Sequence, residues 1–188
     1  AIQKADLAGA SNIRFSVCRF DQLSDHLKGQ KFDLVISNFG GLNCIDSNNM
    51  KRLGEQLHSL LQDDGKLFFV IMGRSCLWEI LYYLGKRKPA TAFRRKRKSL
   101  LFQIGEANMP VFYYSPSNLK KIFHSLYTYC RSNPVGLFIP PSYLQNKFLN
   151  RKKWLSNLTR LEKRFSGYSV FSNLADHFCN IFQKNGTL

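Results

Sequence analysis

The spacing of apolar positions changes period several times along the chain. Phe32 to Ser37 ("FDLVIS") is a near-continuous apolar run, the mark of a strand buried on both faces of a parallel sheet. The stretch "SNNMKRLGEQLHSLLQDDG" then switches to helical spacing. Met50, Leu53, Leu57, Leu60 and Leu61 share one face, and Asp46 or Ser47 is placed to cap it. Asp63-Asp64-Gly65 predicts a turn, and "KLFFVIM" a second buried strand. Upstream, "AIQKADLAGASNIRF" reads as the tail of a helix, a stop at Gly9 and a strand over Ile13 to Val17, with a loop at "DQLSDHLKGQ". The order strand, strand, helix, strand predicts an α/β sheet with crossover helices.

Residues 73–115 break that rhythm. "CLWEILYYLG" has the pattern of an amphipathic helix, a basic run follows, and "SLLFQIG" and "MPVFYYS" flank "EAN" as a hairpin would. The sheet pattern resumes at Ser115-Pro116, a cap and first-turn pair that opens the helix "SNLKKIFHSLY". Two further strands are expected around "YCRSNPVGLFIPP" and "DHFCNIFQK", with the basic helix "NRKKWLSNLTRLEKRF" between them. The expected organisation is a single domain over 1–188, with 73–115 inserted as a cover over the substrate.

Composition narrows the picture. With 188 residues and 44% hydrophobic side chains, the chain suits one folded domain. No apolar stretch approaches the roughly 18 residues that span a bilayer. Cysteines at 18, 44, 76, 130 and 179 form no C-x-x-C pair, and no His stands at metal-ligand spacing. This argues against a disulfide framework or a metal site and fits reduced, cytoplasmic thiols. Cys76 and Cys179 read as small core residues.

The net charge of +16 changes the picture most. Lys86 to Lys98 ("KRKPATAFRRKRK") carries eight basic residues and no acidic one, half of the whole excess. Such a run can bind nucleic acid or an anionic surface, or simply form a solvated face.

These landmarks, in this order, resemble the back two-thirds of a class I S-adenosylmethionine-dependent methyltransferase. "VCRFDQL" is similar to the third strand and the loop bordering adenine, and "KFDLVISNFGGLN" to the fourth strand and its tip. "LLQDDGKLFFVIMGR" is similar to the helix end, Gly turn and fifth strand. The wording "SNFGGLNC", "CLWE", "YYSPSNL", "GLFIPPSYL" and "DHF" is similar to a bacterial group of small methyltransferase-domain proteins. The resemblance implies a Rossmann-like α/β sheet lacking its first two strands, with S-adenosylmethionine as cofactor. It implies that Ser37, Asn38 and Phe39 meet the methionine portion, Asn38 by hydrogen bonding and Phe39 by covering it. It also implies that Phe20 packs on adenine and Asp21 accepts from the exocyclic amine. Strand-end turn chemistry is the plainer account of the same residues.

Two features depart from the family pattern. Cys18-Arg19 stands where an acidic residue is common after the third strand, which shifts the adenine contact to Asp21. The Gly-rich first loop and the acidic end of the second strand are absent, implying missing upstream sequence and weak or no cofactor binding by these residues alone.

Displacement at a sulfonium methyl needs positioning first and a base only for hydroxyl or amine acceptors. His177 is the candidate base, with Asp176 to orient it. Trp78, Tyr113 and Tyr114 are candidates for the acceptor pocket, and Glu79 and Asn43 are further polar options. A nucleic-acid acceptor is the rival expectation, through the Lys86–Lys98 run. Against it, the tip Ser37-Asn38-Phe39-Gly40 lacks the prolines usual beside a flipped base, and Cys44 lacks a neighbouring Pro. A small-molecule acceptor is therefore favoured. A third reading is a cofactor-free, methyltransferase-like module that binds nucleic acid or a partner through its basic face.

Overall fold

A four-stranded mixed sheet forms the centre of the computed structural model, which describes residues 2–38, 40–145 and 151–186. Helices α1 (Ile2–Leu7) and α2 (Leu23–His26) precede β1 (Phe32–Ser37), α3 (Ser47–Leu60) and β2 (Leu61–Met72). The excursion follows as α4 (Leu77–Gly85), α5 (Pro89–Ala92) and the hairpin β3 (Ser99–Ile104) and β4 (Ala107–Phe112). The chain returns through α6 (Pro116–Phe123), β5 (Tyr127–Val135), α7 (Ser142–Gln145), α8 (Lys152–Phe165) and β6 (His177–Lys184).

The sheet order is β1-β2-β6-β5. β1 runs parallel to β2, with Val35 opposite Leu67, and β6 is antiparallel to both of its neighbours. The expected α/β class, the helix over α3 and the hairpin are all present. The apolar stripe of α3 is buried with Leu67, Phe69 and Ile71 of β2 and with Leu119 and Phe123 of α6. Asp46 caps α3, accepting from the Asn49 N–H at 2.8 Å. Gly54 lies where α6 presses closest, since a Cβ there would meet Phe123 Cε1 at 2.5 Å.

Four expectations change. Ile13 to Val17 pairs with no strand among the described residues; Ile13 and Phe15 are exposed and Val17 is 100% exposed. A β pattern yields a strand only where a partner ladder satisfies its backbone, and none adjoins it here. β1 is likewise not buried on both faces. Val35 packs on the core, while Leu34 and Ile36 are 45% and 63% exposed on the opposite face. Asp63-Asp64-Gly65 is not a turn ahead of β2 but an irregularity within it, where the register with β1 shifts and Asp64 adopts φ +63°. Residues 20–26 form a 3₁₀ turn and α2 instead of an open loop.

Candidate functional site

The strand tip raised by the sequence is held open by two residues. Gly40 turns the chain at φ +76°, and a Cβ there would come within 3.3 Å of Met72 Cε. Asn43, fully buried, binds the last residues of β2 and β4. Its Nδ2 donates to the carbonyls of Met72 (3.2 Å) and Phe112 (2.6 Å), and its Oδ1 accepts from the Met72 N–H (2.9 Å). The polar tail of the apolar strand is thus partly a brace. It fixes the turn after β1 to the ends of β2 and β4. Phe39 lies outside the described residues.

A cavity of about 530 Å³ lies beside the first half of α3, lined among others by Phe20, Asp21, Ile45 and Asn49. Arg19 grips Asp21, with Nε to Oδ1 and Nη2 to Oδ2 both at 2.9 Å. The Arg19 hydrogen bond therefore keeps the Asp21 carboxyl below the usual carboxylate range. Gln56 fastens this rim to α3: its Nε2 donates to the Phe20 carbonyl at 3.1 Å, and its Oε1 accepts from the Ser24 N–H at 3.1 Å.

A second cavity, of about 670 Å³, opens against the N-terminal turn of α3. Arg74, Lys96, Arg97, Lys98 and Lys121 stand on its wall with Tyr113 and Tyr114. Both tyrosines are buried, at 8% and 3% exposure, and the Tyr114 hydroxyl donates to the Ile45 carbonyl at 2.6 Å. Ile45 itself lines the first cavity, so one hydrogen bond separates the two sites.

No family model matches the chain, and no curated protein matches it. Solved structures do. A S-adenosylmethionine-dependent methyltransferase from Clostridium acetobutylicum superposes over 98% of this chain and 70% of its own, with a TM-score of 0.56 at 11% identity. The PH0226 protein from Pyrococcus horikoshii superposes over 98% of this chain and 65% of its own, with a TM-score of 0.55 at 11% identity.

The chain has a class I methyltransferase fold. It spans 70% and 65% of the lengths of these two neighbours.

Within this methyltransferase fold, the expected residues separate into three groups. Phe20 and Asp21 line the first cavity, and Tyr113 and Tyr114 the second. Ser37 ends β1 and Asn38 follows it; neither lines either cavity. His177 and Trp78 line neither cavity. His177 opens β6, with Nδ1 at 3.1 Å from Asp176 Oδ2. Burial alone would raise the Asp176 carboxyl, but the His177 hydrogen bond and the Arg95 charge outweigh it and hold it below the usual range. Trp78 donates from Nε1 to the Phe138 carbonyl at 2.9 Å and meets Trp154 edge to face, tying α4 to α8.

Arg95 is the centre of an interior charge cluster that the sequence did not announce. It pairs with Glu79 of α4 and with Asp176 Oδ1 (2.6 Å), and its Nη1 donates to the Asp176 carbonyl at 3.1 Å. Arg94 pairs with the other oxygen of Glu79, and Tyr113 stacks under the Arg95 guanidinium at 5.4 Å. Burial disfavours the Arg95 charge, but Asp176 and Glu79 more than restore it. The Cys76 thiol is pushed up to about 12 by burial, which removes it as a nucleophile near neutral pH.

Reasoning from sequence missed Arg19, Asn49, Gln56, Arg74 and Lys121. An Arg-x-Asp pair was the visible signal for the first. The others became site residues only when α3, β2 and α6 converged. No described helix is long and apolar enough to cross a membrane, and no metal-ligating cluster occurs among the described residues.

Proposed function

We propose that this chain serves methyl transfer from S-adenosylmethionine to a small-molecule acceptor. One observation carries the reading: in a methyltransferase fold, the turn that follows β1 delivers Ile45 to a cavity with an aromatic ring, a carboxylate and amides on its rim. Those groups fit the adenine end of the cofactor. Phe20 and Ile45 offer apolar surface, and each Asp21 oxygen, although bonded to Arg19, keeps a lone pair for an exocyclic amine. Ser37 and Asn38 would hold the amino-acid end. When bound, S-adenosylmethionine supplies a methyl group on a sulfonium, open to in-line displacement.

The remaining work falls to the chain. Residues 73–115 act as the cover that shields the acceptor from water, and Tyr113 and Tyr114 form the inner wall of the acceptor cavity. Trp78 holds α4, the first element of that cover, in place. His177 lines neither cavity, so it is proposed as base only for an acceptor whose hydroxyl or amine extends past the cavity wall to it: with Nδ1–H donated to Asp176, Nε2 keeps the lone pair that takes the proton.

Affinity for the cofactor is expected to be weak, since no strand among the described residues pairs with the outer edge of β1 and Leu34 and Ile36 beside it are exposed. Calorimetric titration with S-adenosylmethionine tests the reading. Expected is a dissociation constant between about 10 μM and 1 mM, weakened roughly tenfold in Phe20→Ala. Absence of binding at millimolar cofactor, or binding indifferent to Phe20, overturns it. The second reading, a nucleic-acid acceptor, draws on the five cations of the larger cavity; tight, salt-sensitive RNA binding would favour it.

A further inference from the structure

The basic run does not stay together in space. Lys86 leans over the Tyr82 ring, and Arg87 and Lys88 are exposed beyond the end of α4. Arg94 and Arg95 turn inward to Glu79 and Asp176. Only Lys96, Arg97 and Lys98 reach the larger cavity, where Arg74 from the end of β2 and Lys121 from α6 join them. Five cations from three separate parts of the chain therefore surround one concavity.

None of the five forms an ion pair with a carboxylate among the described residues. Arg74 Nη2 donates to the Lys96 carbonyl at 3.0 Å, and Lys96 Nζ rests over the Phe93 ring. The one carboxylate on the wall, Asp46, is committed to the cap of α3. Gathering like charges raises the energy of the free protein, and a bound anion relieves it.

We propose that this cavity binds the phosphate end of a small phosphorylated molecule. Three observations favour that ligand over a nucleic-acid strand. The space is a concavity of about 670 Å³, the size of a small-molecule site and not of a track. The run that would make a track is interrupted by the inward pair Arg94–Arg95. The rings on the wall are engaged elsewhere: Tyr113 lies under Arg95, Tyr114 is buried with its hydroxyl bonded to Ile45, and Phe112 packs against the core. Arg74 and Arg97 supply planar donor forks for phosphate oxygens, while the lysines act as point charges. That the phosphorylated molecule is also the methyl acceptor rests on the function proposed above; the anion site itself does not.

The test is calorimetry on the whole chain with sodium tripolyphosphate as the probe. Two variants of equal charge change are compared: Lys96→Ala/Arg97→Ala/Lys98→Ala inside the cavity and Lys86→Ala/Arg87→Ala/Lys88→Ala outside it. All six side chains are exposed, so unchanged urea midpoints verify that both variants fold. The inner variant should lose affinity by about tenfold or more, Lys121→Ala by several-fold, and the outer variant should stay within about twofold. Equal losses in both triples, or no binding by the unmodified chain at millimolar probe, overturn the site. So does a single-stranded oligoribonucleotide that binds more tightly than the probe and weakens equally in both triples. S-adenosylmethionine titrated into the same samples keeps the two readings apart. Its failure to bind would remove the methyltransferase reading and leave the anion site standing; failure of tripolyphosphate alone would do the reverse.

Discussion

Arg95 and Arg97 are two residues apart in one basic run and live in different physical regimes. Arg95 is buried against Glu79 and Asp176 and locks α4, the end of β2 and the start of β6 together. Arg97 is exposed on a cavity wall with four other cations and no carboxylate partner among the described residues. The first cation stabilises the fold through its counter-charges; the second is available to a ligand. A run of like charge in sequence is therefore a collection of separate roles, assigned residue by residue by what each side chain meets.

The contrast is broken hardest at its buried end. Arg95→Ala should cost about 3–5 kcal/mol in urea unfolding, because Glu79 and Asp176 would be left buried without their cation. Replacing Glu79 and Arg95 together by Leu should cost clearly less than the sum of the two single changes, the non-additivity expected of a desolvated pair. If the single Arg95 variant unfolds like the unmodified chain, the interior role is wrong.

Asn43 supplies a neutral counterpart to Arg95. Asn43→Ala should cost about 2–3 kcal/mol by stranding the Met72 amide and the Met72 and Phe112 carbonyls. Because the same brace sets both cavities, cofactor and tripolyphosphate binding should weaken together in this variant. Loss of one without the other would show that the two cavities are built independently.

Acidity offers a gentler probe. The Asp176 carboxyl titrates below the usual range in the folded chain, so the stability it contributes is fully present above its unfolded value of about 3.9. It is lost as pH falls through the lower folded value. Urea midpoints followed downward from neutral pH should therefore fall steeply below about pH 4, and Asp176→Asn should lack that part of the slope. The smallest stability effect belongs to the exposed end. The triple change at Lys96, Arg97 and Lys98 should alter unfolding by no more than about 0.5 kcal/mol, while costing the anion site most of its affinity.

Much of the architecture is legible in the sequence. The α3 stripe from Met50 to Leu60, the "KLFFVIM" strand, the 99–112 hairpin and the Ser115-Pro116 helix start each rest on local chemistry that tertiary contacts did not override, whereas Leu61, expected on the helix, opens β2. The Ser115 cap is a clear case. Its hydroxyl accepts from the Asn118 N–H, and the Asn118 side chain accepts from the Ser115 N–H, both within three residues of sequence. Phe20 and Asp21, singled out in the sequence, also lie on one cavity rim. The strand over Ile13 to Val17 failed for the reason the others succeeded: its pattern is suitable, but strand formation depends on a partner that local sequence does not supply.

Local sequence sets where α3 and α6 begin, which face of α3 is apolar, and that the chain carries a strong positive excess. Those properties are set within a few residues, by periodicity, capping and composition. The tertiary structure decided that Asn43 is a brace, that Arg95 is buried, and that Arg74 and Lys121 stand with Lys96, Arg97 and Lys98 around one cavity. Each depends on contacts between positions from 22 to 81 residues apart or on the convergence of separate elements. No local pattern encodes whether a charge will find a carboxylate or open space; the packing of β2, α4, α6 and β6 does.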